Sequence, residues 1–444
     1  MLRKSKSILA MLLVVLTCAT AITPVFATEG PEEPEPKGGP IIAKDQDNPV
    51  EAAITKKFRL PEGTAIPNVE FIFKMEGISI DGNKARGKDA PVPDKEDLTL
   101  SFPSNDAVSI TDSETGIITL RLETKDIFAN VDFPGAGEYV YEITEANDSN
   151  SAIEDNKNEW LNYSEAKYTL HVLVANKEGD EGGLYIRAIG TIFTTDHDGT
   201  DVDGEEKVDA TPGGGLGFDY SQMIFVNDYI RLNDEEKPDD PDPTVYSTLF
   251  ASKAVSGIYA SQSDYFDFEM TINVPSIMDP LHILPYYRAY IVEGANVVTG
   301  DYDFDASLIG SDDHGVYIKV STGDTIDFSL KHGQRLVFVD TPIGTRYEVK
   351  EFGDSNYLAS YIVTTNGVAA AKVPADERGE DLSTGIQHTG LKNNSAAFTN
   401  ARHEITPTGL NIKDLPFFVL IALGLGTLFT YVVVTVNKRK QYNQ

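Results

Sequence analysis

Apolar and polar residues alternate with a period of two through most of the chain, in short runs separated by Gly, Asn, Asp and Pro. Strand side chains point alternately to opposite faces, so such runs predict half-buried β-strands. The clearest in the first half are Val69–Met75, Leu98–Phe102, Gly116–Leu122, Glu138–Glu145, Lys167–Ala175 and Leu184–Thr194. In the second half they are Tyr265–Val274, Val316–Val320, Thr325–Leu330, Leu336–Val339, Arg346–Glu351 and Tyr361–Thr365. Many short strands with turn residues between them predict an all-β chain of tandem β-sandwiches. Long helical periodicity is absent outside the two terminal apolar segments.

A Pro/Asp-rich run from Asn233 to Pro243 interrupts the pattern. Its prolines and like charges favour a stretched connector. The predicted organisation is a first domain at 50–231, a linker at 232–244 and a second domain at 245–402. Insertions around 76–96, 146–164 and 195–220 account for the greater length of the first. The last of these holds Asp196, Asp198, Asp201 and Asp203, whose spacing lacks the EF-hand order and its closing glutamate; it reads as a solvated acidic loop, and no metal site is expected.

Six polar residues break the apolar faces of these strands. Lys56 follows Ala52 and Ile54 in phase, Glu145 follows Tyr139, Tyr141 and Ile143, and Asn227 lies between Phe225 and Tyr229. The order repeats with Lys253 after Leu249 and Ala251, Glu351 after Tyr347 and Val349, and Asn400 after Ala396 and Phe398. All six therefore point into the core, where a lone ammonium or carboxylate is costly. The plainer reading has each lysine snorkelling from a strand end and each asparagine as a hydrogen-bonded core amide. Two ordered, fully in-phase triplets argue against it.

Apolar burial lowers a lysine pKa and raises a glutamate pKa, so both can be neutral together. A neutral Lys56 amine can then attack the side-chain carbonyl of Asn227. Glu145 is expected to hydrogen-bond that carbonyl and shuttle protons while ammonia leaves. Lys253, Glu351 and Asn400 would act alike. Folding supplies the proximity, so no cofactor is expected, and the chain is not expected to be an enzyme beyond this self-reaction. Lysine and asparagine bracket each domain, so the bond would clamp first strand to last if these are neighbours.

The ends resemble export and retention signals. Arg3, Lys4 and Lys6 precede an apolar run, Ile8–Leu16, and Val25-Phe26-Ala27 offers a cleavage site, giving a signal peptide at 1–27 and a Pro-rich leader at 28–49. The single cysteine, Cys18, would be lost with it, leaving no disulfides. Near the C-terminus, Leu415–Val436 is long enough to span a bilayer, and Lys438-Arg439-Lys440 would hold the tail inside. With 37 basic and 69 acidic residues the chain carries −32. Such a surface excludes nucleic acid as a partner and suits an extracellular location. The seven histidines are scattered, without hydrolase or metal-ligand spacing, and His171 reads as a packed or surface residue.

Ile54-Thr55-Lys56-Lys57-Phe58 with Ile66–Lys74, the run Gly137–Glu145, and Phe225-Val226-Asn227 with Phe398-Thr399-Asn400 resemble the streptococcal FctA-type (T-antigen-like) backbone pilins. The resemblance covers roughly 50–440. It implies two Ig-like (CnaB/FctA-type) domains, each with an intramolecular Lys–Asn isopeptide bond, and subunits linked into a pilus by sortase. Within the tail at 403–444, Thr406-Pro407-Thr408-Gly409 resembles the family's sorting signal, with Thr406 where valine is usual. A sortase cysteine would attack the Thr408 carbonyl, release Gly409, and pass Thr408 to an amine on another subunit or on the peptidoglycan cross-bridge. The implied location is the cell wall, reached through a membrane-retained precursor.

One departure stands out. The family offers an acceptor lysine shortly before the first domain's closing asparagine, yet residues 208–226 contain none; Lys167, Lys177 and Lys207 are alternatives. A wall-anchored adhesin or minor pilin, binding a host or glycan ligand without polymerising, is therefore the competing expectation.

Overall fold

A computed structural model describes residues 40–402 and 415–441, apart from 151–152, 154–157, 180–181, 214–218, 233–237, 279–281 and 299–305. The expected signal peptide, most of the leader and the motif Thr406–Gly409 lie outside the described residues.

The first block contains β1 (Ile41–Ile42), β2 (Thr55–Pro61), β3 (Val69–Ile80), β4 (Thr99–Phe102), β5 (Val108–Asp112) and β6 (Ile117–Glu123). It continues with β7 (Gly137–Glu145), β8 (Glu159–Asn162), β9 (Lys167–Asn176), β10 (Leu184–Thr195), β11 (Asp201–Val208) and β12 (Ile224–Arg231). One sheet runs β1-β10-β9-β7-β3-β4 with β11 on β10, and the other runs β5-β6-β2-β12-β8. Their inner faces share one core, built around Phe58, Phe71, Phe73, Tyr141, Phe225 and Tyr229.

The second block contains β13 (Leu249–Ser256), β14 (Phe266–Asn273), β15 (Tyr287–Glu293), β16 (Asn296–Val297), β17 (Ile309–Asp312), β18 (Gly315–Val320), β19 (Thr325–Leu330) and β20 (Gln334–Phe338). After these come β21 (Arg346–Glu351), β22 (Leu358–Thr365), β23 (Val368–Ala369), β24 (Val373–Pro374), β25 (Leu382–Ser383), β26 (Gln387–His388) and β27 (Ser395–Ala401). The larger sheet runs β17-β18-β15-β20-β13-β27-β22-β23, and the smaller runs β19-β14-β21-β25. The chain is thus all-β, and among the described residues no strand pairing crosses from one block to the other.

Within each block, the first long strand and the last lie side by side and parallel: β2 with β12, and β13 with β27. Lys56 faces Phe225 in the first pair, and Lys253 faces Phe398 in the second. Each asparagine therefore stands two residues beyond its lysine's partner, on the same face of the sheet.

Several segments differ from the sequence expectation. The leader's end is docked, with Ile41 opposite Ile189 on β10. The supposed insertion loops contribute strands: β3 continues to Ile80, β8 lies within 146–164, and β11 lies within 195–220. The acidic sequence of β11 conceals it, because an edge strand needs no apolar face. β15 escapes the alternation for the opposite reason, since both its faces are covered: Tyr287, Ala289 and Ile291 face the sandwich core, while Tyr290 and Val292 join an outer cluster with Val337 and Val339.

The blocks meet at one pole. Arg346 donates to the carbonyls of Ser113, at 2.9 Å, and Glu114, and the Ile343 amide donates to Arg231 O at 3.2 Å. Gly344, at φ +81°, makes this approach possible, because a Cβ there would fall 2.2 Å from Pro61 Cβ. Beyond the blocks, α1 (Leu415–Gln441) carries the stretch Val419–Val436, of mean hydropathy 2.3, which is long and apolar enough to cross a bilayer.

Candidate cross-linking sites

The alternation that buries Phe58 and Tyr141 also buries the polar triplets. Lys56 and Asn227 are fully enclosed, and Glu145 is buried with them. Lys56 Nζ lies 2.7 Å from both carboxylate oxygens of Glu145, and Asn227 Nδ2 donates to Glu145 Oε1 at 2.8 Å. β2 and β12 supply the amine and the carboxamide from one sheet. β7 brings the glutamate from the facing sheet, where it stands opposite Phe73 in the β3–β7 ladder.

The second block repeats the arrangement. Lys253 donates to Glu351 Oε1, and Asn400 Nδ2 donates to the same oxygen at 2.6 Å. Glu351, on β21, stands opposite Phe268 of β14. All three side chains are buried. The structure thus brings together all six residues singled out from the sequence, three in each block.

Two aromatic pairs complete the sites, and sequence reasoning missed them. The Lys56 ammonium lies 4.3 Å from the Phe71 ring centre and 6.0 Å from Phe73. Lys253 lies 4.1 Å from Phe266 and 5.6 Å from Phe268. The signal was present as Phe-x-Phe following each lysine, since a strand places both rings on one face. These rings exclude water while offering the charged lysine a cation–π contact.

Burial dominates the electrostatics. It pulls Lys56 down to about 8, against the pull of Glu145, and Lys253 to about 8, against Glu351. It pushes Glu145 and Glu351 up; the lysine charge and hydrogen bonds from lysine and asparagine oppose it in each. Both shifts favour the neutral amine and the neutral acid.

One expectation needs correcting. The glutamate does not address the asparagine carbonyl; it accepts from the amide nitrogen. In the first block the carbonyl oxygen is taken by a backbone donor, Ser164 N–H, at 2.8 Å, which also fixes which end of the amide is oxygen. Glu145 therefore stands between the amine nitrogen of Lys56 and the amide nitrogen of Asn227. That position suits a proton carrier rather than a carbonyl polariser.

Elsewhere, Asp196 and Asp198 hold their own turn through the amides of His197 and Thr200. Among the described residues, no group of three or more His, Cys, Asp or Glu is arranged to hold a metal ion. His171 is half-buried and paired with Glu138 at 3.0 Å. Lys167 is exposed, and Lys177 and Lys207 are partly so.

Each of the two all-β blocks thus holds one buried Lys–Glu–Asn triplet. Residues 247–402 match the model of a domain family described as a domain of unknown function (DUF7601). None of the curated proteins compared matches the chain. Among solved structures, the chain is similar to the major pilin from Streptococcus pyogenes, at 19% identity over 80% of this chain and 100% of that one, with a TM-score of 0.29. It is also similar to the T-13 major pilin from Streptococcus pyogenes, at 14% identity over 82% and 100%, with a TM-score of 0.28. A third likeness is to the pilus-presented adhesin Spy0125 (Cpa), at 15% identity over 49% of this chain and 36% of that one, with a TM-score of 0.22.

Proposed function

We propose that the chain is a structural cell-surface pilin subunit of a Gram-positive bacterium, of the FctA-type family, clamped by two self-made Lys–Asn isopeptide bonds and attached by sortase at Thr408. The observation that carries the reading is the desolvated contact of Lys56, Glu145 and Asn227, repeated by Lys253, Glu351 and Asn400. A buried ion pair of this kind adds little stability by itself. As reactants, the same groups are well prepared: amine and carboxamide both bond the proton carrier, and all three are shielded from water.

Each clamp would join adjacent parallel strands at opposite ends of the block's sequence, so tension entering along one terminal strand passes directly to the other. The apolar span of α1 with its basic end supports retention at the membrane until sortase cuts before Gly409. The absence of lysine from 208–226 favours a second reading, a wall-anchored adhesin or minor pilin that does not polymerise.

Mass measurement tests the chemistry. The full chain is expected to fall short of its sequence mass by two ammonia molecules, with Glu145→Ala and Glu351→Ala each restoring one. Co-expression with the cognate sortase tests the assembly: detergent-resistant ladders support polymerisation, and a single cell-wall band supports the adhesin. Thr408→Ala should abolish both.

A further inference from the structure

The two sites differ at two atoms, the asparagine carbonyl oxygen and the second carboxylate oxygen, which Lys56 reaches in the first block. Asn227 Oδ1 has a donor, whereas Asn400 Oδ1 is buried without one, as is Glu351 Oε2. The difference at the carbonyl has a backbone cause. β8 ends at Asn162, opposite Asp228, and the chain leaves β12 at the level of Asn227 on its way to β9. Departure from the ladder frees the Ser164 N–H, which turns onto Asn227 Oδ1 in a position where Ser164 is only 5% exposed. In the second block the strand beside β27 is β22. It passes the asparagine, with Ala359 opposite Asn400, and runs on to Thr365. No amide is released there.

We propose that the Ser164 backbone amide is the carbonyl donor of the cross-linking reaction in the first block, and that the Lys56–Asn227 bond therefore forms faster than the Lys253–Asn400 bond. This rests on the triplets being self-cross-linking sites. The neutral Lys56 nitrogen forms its bond to Asn227 Cγ, and the carbonyl π electrons move onto Oδ1, where Ser164 N–H receives the developing charge. Glu145 takes a proton from the attacking nitrogen and delivers one to Nδ2. The carbonyl re-forms, the Cγ–Nδ2 bond breaks, and ammonia departs; an amine and a carboxamide have become an amide and ammonia. A donor already aimed at the charge-bearing oxygen needs no rearrangement during the reaction. In acyl-transfer enzymes, removing one such donor slows turnover by about 100- to 1,000-fold. A gap of at least roughly tenfold between the two blocks is expected on the same grounds.

The experiment is timed cell-free synthesis of the full chain, quenched and digested, with the two cross-linked peptide pairs quantified by mass spectrometry. The Lys56–Asn227 pair should appear first. Incorporating the α-hydroxy analogue of serine at 164 by nonsense suppression replaces that N–H with an oxygen. It should slow the first pair by about tenfold or more and leave the second unchanged. Ser164→Ala keeps the N–H and should match wild type. Equal rates in the two wild-type blocks, or an ester chain as fast as wild type, overturn the proposal while leaving the triplet reading intact. Absence of both pairs from wild type sinks the proposal together with that reading.

Discussion

The Lys56 ammonium sits 4.3 Å from the centre of the Phe71 ring, and Phe266 meets Lys253 at 4.1 Å. The ring forms part of the wall that keeps water from the amine, so the reactivity proposed for Lys56 would depend on a residue with no chemical part in the cross-link. Phe71→Ala opens a cavity at a cost of about 3–5 kcal/mol. Water entering it re-solvates the amine and moves its pKa back toward the ordinary lysine value. Peptide mapping should find the Lys56–Asn227 link lost or strongly reduced and the Lys253–Asn400 link intact. Phe71→Leu keeps the wall apolar and should retain most of the first link. Full linkage in Phe71→Ala would mean that the ring is ordinary packing.

A bond between Lys56 and Asn227 closes nearly the whole first block into a loop. Chain-entropy arguments assign such a closure about 5 kcal/mol. Asn227→Ala removes the bond but leaves the Lys56–Glu145 contact in place, so most of its effect reports the clamp. Denaturant titration of the full chain should show the first block unfolding well before the second, and Asn400→Ala should reverse that order. An unchanged midpoint for Asn227→Ala would mean that no covalent clamp had been lost.

Asn227→Ala also exposes the acid–base behaviour of the unreacted pair. Burial depresses Lys56 from 10.5 to about 8 in the folded chain. Between those values the unfolded chain holds a proton that the folded chain has released, so stability rises with pH through this window. Glu145 runs the other way. Its folded pKa lies above the ordinary 4.5, the folded chain holds the extra proton, and stability falls as pH climbs through that range. The pair is thus least favourable on the plateau between the two windows. Comparing Asn227→Ala with Lys56→Met/Asn227→Ala between about pH 8 and about pH 10.5 isolates the lysine; the single variant should gain on the order of a few kcal/mol relative to the double. A flat difference would mean that Lys56 keeps an ordinary pKa.

The alternation made the inward phase of Lys56, Glu145 and Asn227 legible, because a period of two leaves a side chain only two faces to choose from. It could not reveal that β2 and β12 are neighbours, since that pairing joins distant parts of the chain. Ser164 was illegible for a different reason: the group that matters is a backbone N–H, which every residue except proline carries, and only the end of β8 frees it. β11 was missed because Asp201–Val208 buries too little apolar surface to produce a pattern. β15 was missed because Tyr290 and Val292 are as deeply buried as Ala289.

The chain also carries a comparison that separates proximity from desolvation. Gln334 Nε2 donates to Glu293 Oε2 at 3.0 Å, and Lys331 Nζ lies 3.1 Å from the same oxygen. Amine and carboxamide thus meet at one carboxylate oxygen, as they do in the buried triplets. Yet the Lys331 side chain is 28% exposed and Glu293 is 43% exposed. Hydrogen bonds from Gln334 and Lys331 hold the Glu293 carboxyl below its usual range, the reverse of Glu145. A carboxylate that keeps its charge has no proton to give a leaving nitrogen, and a solvated ammonium has no lone pair with which to attack. Peptide mapping of the full chain should therefore recover Lys331 and Gln334 unlinked beside complete linkage at Lys56–Asn227. A Lys331–Gln334 bond in the same digest would mean that contact alone drives the chemistry, and that burial of the triplets serves some other end.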